Sequence, residues 1–248
     1  MIRGNKIKII ILTLLAAWLV ITAYRYSPYK LEYLGYYDKI WAHRVNSTEK
    51  LNYALKFFDG IELDLVYDAD KNILDVNHPP APSIDLDLQE YLSKINTDKY
   101  PYIWLDIKNL NIENDENILD ILVALFSERE YPFGKILVES QNSLSLPIFA
   151  RAGFKTSYYL PTGLSTKNTS DLEIEIKKIK EILKAQPTVS ISSNYEDYEF
   201  MRTHFPKTKK YTWIINSVFT HGFSEPRRIL RDPTVEAVLI RYKSFSGN

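Results

Sequence analysis

The chain has 248 residues, of which 25% are charged and 45% are hydrophobic, as is usual for a globular protein. Its 31 basic and 31 acidic residues give a formal net charge of zero, so the composition offers no basic footprint for nucleic acid. The absence of cysteine excludes disulfides, thiolate metal sites, a cysteine nucleophile and a lipid-modified cysteine anchor, and it leaves the redox compartment open.

The N-terminus has the pattern of a signal sequence or a signal anchor. Basic residues precede the apolar run Ile9–Ala23, which at about 15 residues is shorter than the roughly 20 that span a bilayer. Trp18 and the flanking tyrosines can extend it at the membrane interface. Because no small-x-small cleavage site follows, we expect residues 1–25 to be an uncleaved anchor, with a cleaved signal peptide or a buried helix of the domain as alternatives.

We expect residues 26–38 to be a linker and residues 39–248 to form one domain. The positive-inside rule then predicts a protein anchored in the membrane with its domain outside the cytoplasm, or a secreted or periplasmic protein if the signal is cleaved.

Beyond the linker, strand-like and helix-like segments alternate. The predicted strands are Lys39–His43, Ile61–Tyr67, Tyr102–Ile107, Lys135–Glu139, Lys155–Leu160, Thr188–Ser192, Lys210–Ile215 and Ala237–Arg241, with Asn72–Asn77 as a short excursion. The predicted helices are Ser47–Phe58, Asp85–Ile95, Glu116–Glu130, Leu144–Ala152, Asp171–Lys184, Tyr195–His204 and Glu225–Leu230. This alternation predicts a parallel sheet, and eight units in about 210 residues predict an α/β fold, a (β/α)8 TIM barrel preceded by an apolar anchor helix. An open doubly wound sheet is the alternative, although the chain has no glycine-rich phosphate turn of the kind that such a sheet carries.

Polar residues with catalytic potential lie where the predicted strands end. His43 and Arg44 follow the first strand, Glu62 and Asp64 lie on the second, and His78 follows the excursion. The carboxyl ends of barrel strands form the active face of this fold, so we expect these side chains to share one side of the mouth.

Glu62 and Asp64 are two residues apart on a strand, so their carboxylates face the same way. Two carboxylates in a site of low dielectric repel each other, and a hard divalent cation such as Mg²⁺ or Ca²⁺ relieves that repulsion. Paired histidines can divide proton transfer between nucleophile and leaving group, and an arginine can bind phosphate oxygens. The set therefore suits metal-assisted attack on a phosphodiester, with a solvent-facing strand end and structural histidines as the alternative interpretation.

The pattern WLDIK ends the next predicted strand. Asp106 is a candidate third carboxylate ligand, and Lys108 is a candidate phosphate-facing cation. A structural ion pair between these two residues is the alternative. Glu139, at the end of the following strand, is a possible additional ligand, and Arg241 on the last strand either reaches the mouth or lies on the outer face.

The series AHR, GIELDL, His78, WLDIK and YTWIIN resembles the glycerophosphodiester phosphodiesterase family, within the phospholipase-C-like phosphodiesterase TIM-barrel superfamily. The resemblance runs in order from Ile40 to Arg241. It implies a phosphoric diester hydrolase that depends on one divalent cation, Mg²⁺ or Ca²⁺, and acts on a glycerol- or lipid-derived phosphodiester.

The resemblance also implies a role for each site residue. His43 and His78 would be the catalytic acid–base pair. Arg44 and Lys108 would bind the substrate phosphate. The metal ligands would be Glu62, Asp64 and Asp106.

Three positions depart from the family's pattern. Pro79 follows His78 where the family usually has aspartate, the E-x-K strand end carries Asp106 in place of glutamate, and Ile240-Arg241-Tyr242 replaces a Thr-Asp-x-Pro strand end. The segments WAHRVNS and NHPP are similar to the menorin-type branch of the superfamily, which carries H-x-V-N and H-P-P.

The sequence therefore supports three hypotheses. The first is a membrane-tethered, extracytoplasmic phosphodiesterase of lipid metabolism. The second is a non-catalytic ligand- or lipid-binding barrel of the menorin type. The third is a barrel hydrolase that uses the carboxylates on a sugar.

Overall fold

The computed structural model describes residues 2–96, 100–215 and 221–243, with the backbone alone at residues 2–5 and 25–26. The described strands are β1 Ile40–Ala42, β2 Gly60–Asp68, β3 Ile73–Val76, β4 Tyr102–Ile107, β5 Ile136–Ser140, β6 Lys155–Tyr159, β7 Ser190–Asn194, β8 Lys210–Ile214 and β9 Val235–Ile240. The described helices are α1 Ile2–Tyr26, α2 Thr48–Ala54, α3 Leu88–Ser93, α4 Asp115–Glu128, α5 Leu146–Arg151, α6 Thr169–Ala185, α7 Tyr198–His204 and α8 Ser224–Leu230.

The strands other than β3 form a closed parallel barrel. They pair in the order β1, β2, β4, β5, β6, β7, β8 and β9, and β9 pairs with β1 to close the ring. Strand β3 lies antiparallel to β2 and so leaves the barrel order. The predicted eight-stranded TIM barrel is confirmed, and the short excursion is the hairpin partner of β2.

Several element ends differ from the prediction, each for a local reason. Helix α2 ends at Ala54 because the next residues turn back, and the N–H groups of Phe57 and Phe58 both donate to the Ala54 carbonyl. Helix α3 begins at Leu88 because the Asp87 side chain caps it by accepting from the Glu90 N–H at 2.7 Å.

The last strand is shorter than predicted at its carboxyl end. Strand β9 ends at Ile240, which pairs with Ala42 and Ile214, the final residues of β1 and β8. Both neighbours end there, so Arg241 has no strand to pair with. The prediction that Arg241 lies on the last strand is therefore wrong.

The barrel interior is apolar towards the amino-terminal ends of the strands. Its layer consists of Trp41, Trp104, Leu137, Tyr211, Ala237 and Leu239. Gly60 makes room for this layer, because a Cβ atom at that position would lie 2.3 Å from the Trp41 ring. Further along β4 and β5 the same inward face continues with Asp106 and Glu139, so the polar site rests on an aromatic floor.

Helix α1 precedes the barrel. Its segment Lys6–Tyr24 is long and apolar enough to cross a membrane, and none of it is buried against the rest of the chain. A signal sequence satisfies the same criteria.

Candidate active site

Three of the predicted carboxylates converge inside the barrel. Parallel pairing places Asp64 of β2 level with Asp106 of β4, and Glu62 lies one inward position below Asp64. Each of the three residues offers one oxygen atom, and these oxygen atoms all lie within 4.8 Å of one another. Glu62 and Asp64 are buried, and Asp106 is half-buried. The structure thus brings the three predicted metal ligands together.

The loop after β1 fixes Glu62. Arg44 has a φ of 55°, a left-handed conformation that is uncommon for a residue with a side chain. This turn aims the Arg44 N–H at Glu62 Oε2, 2.6 Å away. His43 lies beside the same carboxyl group, with 3.8 Å between its Nε2 atom and Glu62 Oε2.

Asn46 fixes Asp64, a contact that the sequence-based interpretation missed. Its Nδ2 atom donates to Asp64 Oδ2 at 2.6 Å, and its Oδ1 atom accepts from the Asp64 N–H at 3.0 Å. Ser47, and not Asn46, caps α2, since the Ser47 side chain accepts from the Lys50 N–H. The asparagine of the H-x-V-N pattern was the available signal for this role.

His78 and Arg44 contact each other. His78 follows β3 in the loop after the hairpin, and its Nε2 atom lies 3.9 Å from Asp64 Oδ1. Arg44 Nη2 lies 2.7 Å from the same Nε2 atom. Since a guanidinium only donates, Nε2 of this histidine is the acceptor, and the ring proton lies on Nδ1.

Lys108 lies between two of the carboxylates. Its Nζ atom is 2.6 Å from Asp64 Oδ1 and also contacts Asp106 Oδ2. Burial lowers the pKa of this ammonium, but Asp106 and Asp64 outweigh it, so the pKa is raised above its ordinary value. The ion pair with Asp106, which was the alternative interpretation, is therefore present and extends to Asp64.

Glu139 lies next to Asp106 across the β4–β5 pair. Among the described residues, no hydrogen-bond partner reaches its buried Oε1 atom. Burial, and then the charge of Asp106, raise the pKa of Glu139 to about 8. Glu139 is therefore close enough to Asp106 to interact with it electrostatically.

Burial dominates the electrostatics of the whole cluster. It raises the pKa of Glu62, with further contributions from Asp64 and Asp106, and it also raises the pKa of Asp106. Burial, followed by the Arg44 charge, lowers the pKa of His43 to about 3, so this imidazole is neutral at physiological pH. The cluster holds more carboxyl groups than cationic side chains, and it favours added positive charge.

The cluster opens into a groove on the side of the mouth. The groove is about 940 Å³, and it runs from His78 and Lys108 past Leu144 and Tyr159 to Lys178 on α6. Both polar and apolar side chains line it. A substrate with a phosphate at the cluster has room to extend in this direction.

One protein-family model matches the part of the chain that carries most of the site residues. Residues 38–133 match the Menorin N-terminal domain. The matched segment is less than half of the chain, and it contains β1 to β4 with every site residue from His43 to Lys108. No curated protein sequence matches the chain at a significant level.

Solved structures share the fold of the whole barrel. A glycerophosphodiester phosphodiesterase from Parabacteroides distasonis has a TM-score of 0.57 and 16% identity, over 82% of this chain and 92% of that chain. The enzyme of the same name from Thermotoga maritima has a TM-score of 0.56 and 15% identity, over 82% and 93%. A phosphodiesterase from Oleispira antarctica, solved with its product sn-glycerol-3-phosphate, has a TM-score of 0.55 and 14% identity, over 82% and 92%. The chain has the fold of the glycerophosphodiester phosphodiesterases, and at these identities the likeness is one of fold.

Proposed function

We propose that this chain is a metal-dependent phosphodiester hydrolase of the glycerophosphodiester phosphodiesterase type. Its substrate class is glycerol- or lipid-derived phosphodiesters, and α1 anchors the barrel in a membrane with the mouth outside the cytoplasm. The observation that carries the proposal is the group of three carboxylate oxygens within 4.8 Å of one another. His43, just after barrel strand β1, and His78, in the loop after β3, flank this group.

The donor set fits a hard divalent cation. The ligands Glu62, Asp64 and Asp106 offer only oxygen, which is the donor that Mg²⁺ and Ca²⁺ prefer. Glu139 adds a fourth carboxyl group nearby, whereas Lys108 is the ammonium in contact with the cluster. A bound divalent cation would polarise the phosphoryl group and offset the charge that develops on it.

His43 suits the role of general base. Its position beside the carboxylate cluster supports this role, and burial keeps the imidazole neutral, so that its ring nitrogen can accept a proton. The charge of Asp64 favours the protonated ring, so it stabilises the imidazolium that forms when His43 takes a proton from the attacking hydroxyl group or water.

His78 suits the role of general acid once Arg44 releases it. The guanidinium holds His78 Nε2 at 2.7 Å, and a phosphate is a stronger partner for that guanidinium than a neutral imidazole. A substrate phosphate that attracts Arg44 frees His78 Nε2, which then takes a proton from solvent and donates that proton to the leaving oxygen. Lys108 is within reach of the same phosphate, since it projects from the end of β4 into the groove.

The second candidate is a ligand-binding barrel without turnover. It is favoured by the match to the Menorin N-terminal domain and by Lys108, whose ammonium already neutralises Asp64 and Asp106. A lysine that remains there would weaken cation binding and leave a phosphate site that does not hydrolyse its ligand.

Hydrolysis by the full chain in detergent tests the proposal. Bis-p-nitrophenyl phosphate and glycerophosphodiesters are assayed in EDTA and after addition of Mg²⁺ or Ca²⁺. We expect turnover that requires the cation, is lost in Glu62→Gln and is unchanged in Glu116→Gln, a matched change on the exposed face of α4. Turnover that survives both Glu62→Gln and His43→Gln would contradict the proposal. A folded protein that binds inorganic phosphate but hydrolyses no substrate with either cation would favour the second candidate.

A further inference from the structure

The segment between α1 and β1 exposes apolar side chains and buries a charged one. Leu31 and Leu34 are 61% and 57% exposed, whereas Glu32 and Tyr33 between them are buried. The arrangement is held in place, since the Arg227 guanidinium donates to the carbonyls of both leucines at 3.4 and 3.2 Å. In water this distribution is unfavourable, because the segment turns its leucines outward and its carboxylate inward.

Two exposed aromatic residues adjoin the same segment: Tyr29, two residues before Leu31, and Phe57, which packs on Tyr29. Tyr29 is 55% exposed, and its ring packs edge-on against exposed Phe57, with 6.0 Å between the centroids. We call Tyr29, Leu31, Leu34 and Phe57 the apolar rim. Isolated exposed leucines need no explanation, but a cluster of four large apolar side chains indicates a contact surface.

The aromatic residues of the apolar rim, Tyr29 and Phe57, lie at the end of the barrel opposite the catalytic residues. The segment that carries the two leucines leads to the same end, since Lys39, just before β1, donates to the Asp232 carbonyl before β9 at 3.2 Å. Tyr29 lines a cavity of about 860 Å³ together with Asp59, Tyr102 and Lys155, which precede or begin β2, β4 and β6. The carboxylate cluster lies at the other ends of these strands. On β4 alone, Tyr102 and Asp106 are four residues apart, or about 13 Å along the strand.

The membrane-spanning segment ends beside the apolar rim. The span Lys6–Tyr24 stops five residues before Tyr29. The Tyr24 hydroxyl group donates to the buried Glu32 carboxylate, so the end of α1 is tied to the segment that carries the leucines. Residues that directly follow a membrane span lie at the level of the lipid headgroups. The partner that the apolar rim contacts is therefore the bilayer itself.

We propose that the barrel docks on the membrane through the apolar rim, so that its catalytic mouth opens away from the bilayer and takes phosphodiesters from the aqueous phase. This inference rests on the proposed anchor, and it goes beyond the proposed function because it fixes which end of the barrel faces the bilayer. The apolar side chains enter the headgroup layer, as do those of other interfacial segments.

Site-specific fluorescence labelling of the full chain in lipid vesicles tests the orientation. The chain has no cysteine, so Leu31→Cys, Leu34→Cys and Leu144→Cys each carry one label. Leu144 is the matched control, since it is a leucine that lines the mouth groove and is 71% exposed. All three side chains project from the surface, so labelling disturbs no core packing.

We expect nitroxide-labelled lipids to quench the labels at positions 31 and 34 several-fold more than the label at 144, and aqueous iodide to show the reverse order. Iodide quenching at 31 and 34 equal to that at 144 would overturn the proposal, as would equal lipid quenching at all three positions. Labels at 31 and 34 that neither agent reaches would show that protein covers the rim, which also contradicts it. Hydrolysis of soluble glycerophosphocholine is measured in the same vesicles, so a failure of the proposed function is recognised separately from a failure of docking.

Discussion

Asn46→Ala is the sharpest test of how the site is held, because it removes both hydrogen bonds between Asn46 and Asp64. A hydrogen bond to an ionised carboxylate contributes about 1.5–3 kcal/mol and one between neutral groups about 0.5–1.5 kcal/mol. We therefore expect the free energy of unfolding to fall by about 2–4 kcal/mol. At roughly 2–4 °C for each kcal/mol in a chain of this size, Tm falls by about 5–15 °C.

The measurement is thermal unfolding of the full chain in detergent and EDTA, followed by far-UV circular dichroism. Asn114→Ala is the matched control, since Asn114 also makes two hydrogen bonds, at 2.9 Å each, but to the backbone of a surface loop and not to a carboxylate. A loss below about 0.5 kcal/mol in Asn46→Ala, or an equal loss in both variants, would refute the reasoning.

Asn46→Asp tests whether a cation binds beside Asp64. The new carboxylate keeps an acceptor for the Asp64 N–H but opposes the Asp64 side chain, so we expect a larger loss of stability than in Asn46→Ala. Added Mg²⁺ or Ca²⁺ should restore part of it, because a ligand that binds the folded state stabilises it in proportion to its occupancy. A variant that the cation does not stabilise would argue against a cation site beside Asp64.

Three further predictions concern stability. Gly60→Ala forces a Cβ atom against Trp41 and should lower the free energy of unfolding by about 1–3 kcal/mol, while Gly134→Ala, where a Cβ meets nothing within 4 Å, should be neutral in the same denaturant titration. The pKa of His43 is about 3 in the folded chain, against 6.5 for an unperturbed imidazole. As pH falls from 6.5 to 3, the unfolded chain therefore takes up a proton that the folded chain does not, and the free energy of unfolding decreases. In His43→Gln this decrease should be shallower, by up to about 1.4 kcal/mol per pH unit. The pKa of Glu139 is about 8 in the folded chain, against 4.5 for an unperturbed glutamate, so the free energy of unfolding decreases as pH rises between these values. In urea titrations in EDTA, Glu139→Gln should be more stable than wild type near pH 8 and equally stable near pH 4.5.

The positions of the carboxylates could be predicted because two simple rules fix them. Side chains alternate along a strand, which places Glu62 and Asp64 on one face, and parallel strands end at one edge, which brings Asp106 level with Asp64. Neither rule requires knowledge of the loops. The same rules placed Glu139 next to Asp106.

The contacts of the loop residues could not be predicted in this way. Arg44 reaches Glu62 with its backbone and His78 with its side chain because its φ is 55°, and nothing in the letters HRVN encodes that angle. Asparagine and serine both favour a helix N-cap, and only the structure shows that Ser47 takes the cap of α2 and that the Asn46 amide binds Asp64. For Lys108 the sequence left open a phosphate-facing role and an ion pair with Asp106; the structure shows the ion pair, and its extension to Asp64 could not be predicted from the pattern.

The two histidines differ in how firmly the barrel wall holds them. His43 directly follows β1, and its N–H donates to the Ile240 carbonyl of β9 at 3.1 Å, whereas His78 follows the hairpin strand β3, which lies outside the ring. Insertions, deletions or loop grafts between β3 and α3 can therefore change one partner of the pair while every wall strand keeps its register. Evolution can alter or abolish chemistry on this scaffold through that loop alone, and an engineer who wants new specificity should begin by diversifying residues 77–87.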